Sequence, residues 1–337
     1  MTIDIHHHML PRELVNALTE HSVTTMGGEP LPAWRSQASL DMMDRTNIDR
    51  AILSAPIPLH FVAPPAAATM ATEINRFAHE CTLRWPDRFG YFASLPLPDV
   101  ESAVAEATST LDQHGAAGVA MLTNHAGIYQ GDPRLDPLYE ELNKRQAVAF
   151  VHPTVFAAGD YPVRSSDGSP IPCIQPSQLE FGFDSTRAVA NLLLTQVDRR
   201  FPDIRFVFTH SATCVPCVLH KLLDRKRLVE AYTAYIHDHG TPPPTPELLT
   251  QLQSAEAEAR QRIRWFYFDT ALSTAAPVLD ALTAIVDTTH ILFGTDFPFG
   301  QEIGLQYTLD GINSYPNFTD EDRTHILATN AADLLDR

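Results

Sequence analysis

Short apolar runs recur along the chain, and each is followed by a segment with the polar and apolar pattern of a helix. The runs are rich in β-branched and aromatic residues and end in polar, glycine or proline residues. Runs of this length and continuity predict strands buried on both faces, joined by crossover helices. There are eight such runs, at residues 3–8, 50–54, 89–95, 118–123, 147–152, 204–210, 265–269 and 291–296.

Eight repeats of a strand and a helix predict an α/β protein with a closed (β/α)8 barrel, the TIM-barrel fold. An open doubly wound sheet produces much the same pattern. The polar residues distinguish the two folds, because those at the ends of the predicted strands fall on several different strands. They are His6, His8, His152, His210 and Asp296. A barrel assembles its active site from such strand ends, whereas an open sheet gathers it at one switch point. No glycine-rich phosphate-binding motif follows the first strand, so the barrel is favoured.

Two segments interrupt the repeat. Residues 9–45 predict a long, lid-like loop after the first strand, because a long connection in a compact domain is usually functional or disordered. Residues 218–262 have a charged, helical pattern around a proline cluster and predict a helical insertion after strand six. Neither segment is typical of an independent domain, so we expect a single barrel domain over residues 1–337.

Composition excludes several kinds of partner. The chain has 24 basic and 41 acidic residues and a net charge of −17, which disfavours nucleic acid and anionic membranes, because both require a basic surface. No apolar run approaches the roughly 18 residues that span a bilayer. The chain start also lacks a basic segment followed by a long apolar stretch. We therefore expect a soluble, cytoplasmic protein.

Four cysteines are too few for a disulfide framework in a chain of 337 residues. They are Cys81, Cys173, Cys214 and Cys217. The last two have the spacing of a redox pair or half a zinc knuckle, but a structural zinc site needs a second pair, which the sequence lacks. Packed thiols are the favoured interpretation.

Three consecutive histidines close the first predicted strand. Side chains alternate between the faces of a strand, which predicts Ile3, Ile5 and His7 on one face and Asp4, His6 and His8 on the other. His6 and His8 are therefore the pair that could hold one ion. Their apolar surroundings are not typical of a purification tag. Neutral imidazoles suit zinc, and also manganese or iron when carboxylates complete the shell.

Two further histidines and an aspartate stand at other strand ends. His152 and His210 close the fifth and sixth predicted strands, and Asp296 closes the eighth. A single histidine at a strand end is more often structural than a ligand. Five such residues on one barrel rim change that balance, because a buried carboxylate needs a partner and a cation is the natural one.

Several sequence stretches carry a resemblance that covers nearly the whole chain: DIHHH at 4–8, FASLPLPDV at 92–100, TNHAGIYQGDP at 123–133, FVHP at 150–153, FYFDTA at 266–271 and LFGTDFP at 292–298. They resemble the decarboxylase branch of the amidohydrolase superfamily. That branch includes aminocarboxymuconate semialdehyde, γ-resorcylate and 6-methylsalicylate decarboxylases, and the last group is the most similar.

The resemblance implies that His6, His8, His152 and Asp296 bind one divalent metal, with zinc favoured and manganese as the alternative. It implies that His210 stands beside the ion as an acid/base group. Hydrolytic members of the superfamily often bind two metals bridged by a modified lysine on strand four. Residues 118–123 contain no lysine, so a single ion follows. The resemblance also implies a homodimer, and the proposed chemistry needs no organic cofactor.

The resemblance implies a metal-dependent, non-oxidative decarboxylase of a hydroxylated aromatic acid of the salicylate or 6-methylsalicylate type. A divalent ion can hold the carboxylate and an ortho hydroxyl together. The ring carbon must be protonated as carbon dioxide leaves, and Asp296 is the favoured direct donor, with His210 assisting. The alternative enzyme is a metal-dependent amidohydrolase or lactonase, in which a water activated by the ion attacks and His210 is its base. A metal-binding barrel without catalysis is the third interpretation.

Substrate selectivity is the point where the chain departs from its relatives. Residues 210–214 read HSATC where many relatives have a glycine-rich turn or a glutamate. Six weaker candidates could also line the pocket. A helix cap explains the two at the end of strand seven equally well, a surface ion pair is favoured for the arginine in a helix-like segment, and lid or core packing is favoured for the other three. These candidates are Asp269, Thr270, Arg187, Trp34, His60 and Phe61.

Overall fold

The computed structural model describes residues 1–55, 57–154, 174–212, 214–218, 237, 240 and 246–336. Eight parallel strands form one sheet in which strands adjacent in sequence are hydrogen-bonded neighbours. They are β1 (Ile3–His8), β2 (Arg50–Ser54), β3 (Phe89–Ser94), β4 (Gly118–Leu122), β5 (Val148–His152), β6 (Arg205–Phe208), β7 (Tyr267–Asp269) and β8 (Ile291–Leu292).

Backbone contacts join the first strand to the last and so close the barrel. The Ile5 N–H donates to the Phe293 carbonyl at 3.0 Å, and the Asp296 N–H donates to the His6 carbonyl at 2.8 Å. A parallel bridge pairs His7 with Phe297 one step further along. The predicted (β/α)8 barrel is confirmed.

Helices follow the strands and cover the outside of the sheet. Those whose two ends both lie among the described residues are α1 (Arg12–Glu20), α2 (Ser36–Thr46), α3 (Pro64–Arg84), α4 (Val100–Gln113), α5 (Asp136–Lys144), α6 (Glu180–Leu194), α7 (Val197–Arg200), α8 (Pro246–Ile263), α9 (Ala276–Thr283), α10 (Gln301–Ser314), α11 (Asp320–Thr324) and α12 (Asn330–Leu335). Among the parts of the chain that the structure describes, none of these helices has the length and apolar character needed to cross a bilayer.

The barrel interior is filled by apolar side chains from successive strands, as expected for a packed core rather than a pore. Ile3, Ile52, Phe92 and Phe150 belong to this inner cluster and are buried. The rings of Phe92 and Phe150 stack at 5.1 Å between centroids. A second, larger apolar layer lies between the sheet and the helices.

The strict alternation predicted for β1 is wrong on one point. Ile3 and Ile5 belong to the inner cluster, whose member Phe150 also contacts the His6 ring edge-on. Asp4, by contrast, pairs with the Nδ1 atom of His7 at 2.8 Å. The pairing of β1 with β2 is irregular between Asp4 and His7, which breaks the alternation between residues 5 and 6. His6 and His8 still share a face.

The first interrupting segment, residues 9–45, has more regular structure than predicted, and much of the second, residues 218–262, lies outside the described residues. Residues 9–45 contain α1, α2 and a hairpin of Thr25–Met26 with Glu29–Pro30, so the predicted loop is structured. Of the predicted insertion at 218–262, the structure describes residues 218, 237, 240 and 246–262, which include most of helix α8. The rest lies outside the described residues, and the insertion stays a prediction.

Close packing at the seam between β1 and β8 requires a glycine. A Cβ atom added at Gly294 would lie 2.6 Å from the His6 Cβ and 3.3 Å from the Asp269 Oδ1 atom. No side chain fits there without displacing His6.

We expect Gly294→Ala to lower the free energy of unfolding by about 1–3 kcal/mol, because overpacking a buried site forces its neighbours to move. The same displacement should weaken metal binding by His6. Chemical denaturation and metal titration measure the two effects. Gly115→Ala is the control for overpacking, because nothing lies within 4 Å of its added Cβ atom. Its only cost is that of placing alanine in a left-handed backbone conformation, at φ +65°. Wild-type metal affinity in Gly294→Ala would contradict the expectation.

Candidate metal centre

The two histidines at the end of β1 direct the same ring nitrogen into the barrel mouth. The Nδ1 atom of His6 lies 2.9 Å from the Asp269 Oδ2 atom, and the Nδ1 atom of His8 lies 3.1 Å from the Ser54 hydroxyl. A carboxylate can only accept, so His6 carries its proton on Nδ1 when neutral, and its Nε2 lone pair is available. Both Nε2 atoms face Asp296.

His152 and His210 repeat this arrangement from β5 and from the turn after β6. The Nδ1 atom of His152 lies 2.8 Å from the Pro153 carbonyl oxygen, and that of His210 lies 3.0 Å from the Ala271 carbonyl oxygen. Since a carbonyl accepts, Nδ1 donates in both rings and Nε2 is left with its lone pair. Fixing the outer nitrogen in this way is the usual means of orienting a ligating imidazole.

The five residues predicted from the sequence come together at the C-terminal rim of the barrel. The Nε2 atom of His8 lies 2.9 Å from the Nε2 atom of His6 and 2.9 Å from Asp296 Oδ1. Ligand atoms of His6, His152, His210 and Asp296 all lie within 4.8 Å of one another. Several nitrogen lone pairs beside one carboxylate fit a divalent ion.

The two residues for which the sequence predicted different roles are both close to this centre. His210 belongs to the group of four within 4.8 Å, whereas His8 adjoins that group through its contacts with His6 and Asp296. His210 is therefore close enough to the other three residues to bind the same ion, and His8 contacts two of them, His6 and Asp296.

The electrostatics of the cluster match its geometry. Burial lowers the pKa of His8 to about 4. Burial also acts to lower the pKa of His6, but the charges of Asp269 and Asp296 overcome it and raise that pKa to about 10. Burial acts to raise the pKa of Asp296, yet hydrogen bonds with His6 and His8 hold it well below its usual range. The carboxylate is therefore ionised, and a cation that binds His6 must displace a proton.

Left-handed backbone places two of the functional side chains. Asp296 lies beyond the end of β8 with φ +59°, and His210 lies beyond β6 with φ +54°. Ser211 and Ala212 continue the left-handed turn, with φ +58° and +39°. This region disfavours residues other than glycine by roughly 1–2 kcal/mol each, and such strain concentrates at functional sites. The predicted strands 204–210 and 291–296 were therefore too long.

Asp269 has a larger role than the sequence indicated. It is buried at the end of β7 and accepts from the His6 ring, from the His210 backbone N–H at 3.0 Å and from the Ala271 backbone N–H at 2.9 Å. Its position at a strand end was the only sequence signal for it. Thr270 is structural, since its hydroxyl donates to the Leu292 carbonyl and ties β7 to β8.

The other weak candidates lie away from the centre. Arg187 is exposed and lies over the Tyr129 ring at 5.6 Å. Trp34 donates to the Ser39 hydroxyl at 2.9 Å, and Phe61 contacts the His21 ring, so both have packing roles. His60 does not line the cavity that opens beside the cluster.

The thiols of the described residues are free, and they are those of Cys81, Cys214 and Cys217. Cys81 is buried, and burial raises its pKa to about 11. Cys214 is half-buried and lines the cavity beside the cluster. Cys173 lies outside the described residues.

A cavity of about 560 Å³ opens onto the cluster. His152, His210 and Asp296 supply its chemical groups, and Glu29 supplies a second carboxylate. Most other lining side chains are apolar: Met26, Leu179, Phe181, Leu272, Val278, Phe299 and Tyr307 among them. The volume and the apolar walls suit a small ring-bearing molecule.

The fold and the site define a (β/α)8 barrel with a metal-binding centre at its C-terminal rim. The chain belongs to the amidohydrolase family, whose model matches residues 3–337. The family resemblance read from the sequence is confirmed.

Similar proteins include decarboxylases. The chain is 31% identical to decarboxylase yanB of Aspergillus niger, over 88% of this chain and 77% of that protein. It is 30% identical to the 6-methylsalicylic acid decarboxylase acuB of Aspergillus aculeatus, over 88% and 84% of the two chains. A similar solved structure is a dihydroxybenzoic acid decarboxylase from Polaromonas with bound manganese, with a TM-score of 0.73, 18% identity and coverage of 99% and 96%.

We expect the purified protein to contain close to one divalent metal ion per chain and His6→Ala and Asp296→Asn to contain much less, because each removes a donor from the cluster. Elemental analysis measures the content. His21→Ala is the matched control, since His21 is exposed and contacts Phe61 outside the centre. Unchanged metal content in both variants would reject the assignment.

Proposed function

We propose that this protein is a metal-dependent, non-oxidative decarboxylase of a hydroxylated aromatic carboxylic acid, of the salicylate or 6-methylsalicylate type. The observation that carries the proposal is the convergence of imidazole Nε2 atoms and the Asp296 carboxylate at one end of a largely apolar cavity. The similarity to a 6-methylsalicylic acid decarboxylase supports the choice of substrate class.

The proposed ligands are His6, His8, His152 and Asp296. Zinc is favoured because the set is rich in imidazole, and manganese is the alternative, since both accept a mixed nitrogen and oxygen shell. When bound, a divalent ion would supply positive charge that holds and neutralises the substrate carboxylate and its ortho hydroxyl. The proposed reaction requires no organic cofactor.

Asp296 and His210 are the proposed proton-transfer groups. Aryl decarboxylation exchanges carbon dioxide for one proton at the ring carbon, so a proton must reach that carbon. Asp296 is the proposed direct donor, because its carboxylate lines the cavity and lies beside the imidazoles. A ligand atom of His210 lies within 4.8 Å of one of this carboxylate, and the ring contacts the Ala271 carbonyl through Nδ1. His210 is therefore placed to assist by supplying Asp296 with a new proton after each turnover.

Three features of this proposal come from the sequence and the family resemblance and stay predictions. They are a homodimer, a cytoplasmic location and a lid formed within residues 9–45. The hairpin of that segment does line the cavity through Met26 and Glu29, which supports a covering role.

We expect the wild type to release carbon dioxide from 6-methylsalicylate or salicylate. His210→Asn should lower kcat by about 10²–10⁴, the usual loss on removing a general acid or base, while retaining its metal. Product analysis and elemental analysis measure the two effects. Ring opening of lactones without any carbon dioxide release would favour the hydrolase. Metal binding without turnover of either substrate class would favour the non-catalytic barrel.

The second carboxylate of the cavity bears on which acids can enter. Glu29 is half-buried on the hairpin. The hairpin is bonded to Ser177, another residue that lines the cavity, whose N–H donates to the Gly27 carbonyl at 2.9 Å. The Ser177 hydroxyl also lies 3.4 Å from a Glu29 carboxylate oxygen. A substrate with one carboxylate can direct it to the metal centre, whereas a second carboxylate would meet Glu29 or apolar walls.

We therefore expect the wild type to prefer monocarboxylates over aromatic dicarboxylates such as 5-carboxyvanillate. Glu29→Gln should raise kcat/KM for the dicarboxylate, relative to the monocarboxylate, by about threefold to tenfold, because it removes one like-charge repulsion. Glu13→Gln is the control, since Glu13 is exposed on α1. A ratio that is the same in both variants would show that Glu29 does not select.

A further inference from the structure

Asp269 is a buried carboxylate whose two oxygen atoms have different partners. Its Oδ1 atom accepts the backbone N–H groups of His210 and Ala271, at 3.0 and 2.9 Å. Its Oδ2 atom lies 2.9 Å from the Nδ1 atom of His6. Asp269 and His6 both have fully buried side chains, so these contacts are not shared with bulk water.

The Oδ1 contacts fix the orientation of the carboxylate. The backbone N–H groups of His210, after β6, and Ala271, after β7, donate to the same oxygen. A backbone N–H group can only donate, so this oxygen must accept. Gly294 packs closely against this group: a Cβ there would lie 3.3 Å from both the Cγ and Oδ1 atoms of Asp269. The carboxylate plane is therefore held, and Oδ2 is left for the imidazole.

The Oδ2 contact determines which nitrogen of His6 is free. An imidazole beside a carboxylate oxygen must donate, so the neutral ring carries its proton on Nδ1. The Nε2 lone pair then points at the centre, where the Asp296 Oδ1 atom lies 3.4 Å away. With the opposite tautomer, an N–H group would point at the centre and the ring could not bind an ion.

We propose that Asp269 is a positioning residue that sets the metal-binding tautomer of His6 through its Oδ2 atom. This inference rests on the metal centre of the proposed function and extends it to a residue outside the ligand set. Partners of this kind typically contribute 10–100-fold to metal affinity.

Asp269→Asn tests the proposal with little change of shape. The amide oxygen would take the Oδ1 position, because the two backbone N–H groups there require an acceptor. The amide NH2 group would then face His6 and could only donate, so Nδ1 would have to accept and the ring proton would move to Nε2. We expect the dissociation constant for zinc, measured by competition with a chelating indicator, to rise about 10–100-fold. The unfolding midpoint without added metal should stay near that of the wild type.

Asp4→Asn is the matched control, because β1 carries a second pair of the same kind. Like Asp269, Asp4 accepts two backbone N–H groups on Oδ1, from His6 at 3.1 Å and from Thr295 at 3.0 Å. Its Oδ2 atom accepts from His7 Nδ1 at 2.8 Å, and the side chains of Asp4 and His7 are buried. The Nε2 atom of His7, however, lies 2.8 Å from the Ser39 hydroxyl and not at the centre. A general structural loss would affect both variants alike, whereas a tautomer effect would weaken zinc binding in Asp269→Asn alone.

Wild-type zinc affinity in a folded Asp269→Asn protein, or an equal loss in Asp4→Asn, would overturn the proposal. Should Asp269→Asn not fold, long-range ¹H–¹⁵N NMR of the zinc-loaded wild type decides: the His6 proton is expected on Nδ1, and a proton on Nε2 would overturn it. A wild type that binds zinc but releases no carbon dioxide from any aromatic acid would reject the proposed function and leave the role of Asp269 intact.

Discussion

Closure of the barrel between its first and last strands is the constraint on which the candidate site depends. Two of the proposed metal ligands, His6 and Asp296, come from the first and last strand ends. They are held together by the hydrogen bond from the Asp296 N–H to the His6 carbonyl. Gly294 lets the backbone of the last strand approach His6 closely enough for that contact. A sheet left open at this point would separate the β1 imidazoles from the carboxylate, and the remaining histidines alone would present no anionic ligand.

The parts of this structure that follow from local pattern could be predicted from the sequence. Continuous apolar runs specify buried strands, and β1 and β2 have the predicted bounds because their ends coincide with a change from apolar to polar residues. The ligand candidates were predictable for the same reason. A histidine or aspartate that ends an apolar run must lie at the C-terminal rim, and the rim is where a barrel gathers its chemistry.

What could not be predicted depends on contacts between distant residues. The hydrogen bond between Asp269 and His6 joins positions 263 residues apart, and no local pattern distinguishes that aspartate from a helix cap. The left-handed turn at His210 was unexpected because none of its residues is glycine. It is held by the tertiary contact of the His210 N–H with Asp269. The irregular pairing within β1 likewise depends on its neighbour β2 and not on its own sequence.

Charge balance connects the buried carboxylates to the proposed reaction. Asp269 and Asp296 both contact His6, and burial of two carboxylates is costly unless positive charge accompanies them. A divalent ion with neutral imidazoles would balance these two charges. A bound monocarboxylate then adds one negative charge, and the proposed reaction removes it, because aryl decarboxylation consumes one proton at the ring carbon and releases neutral carbon dioxide.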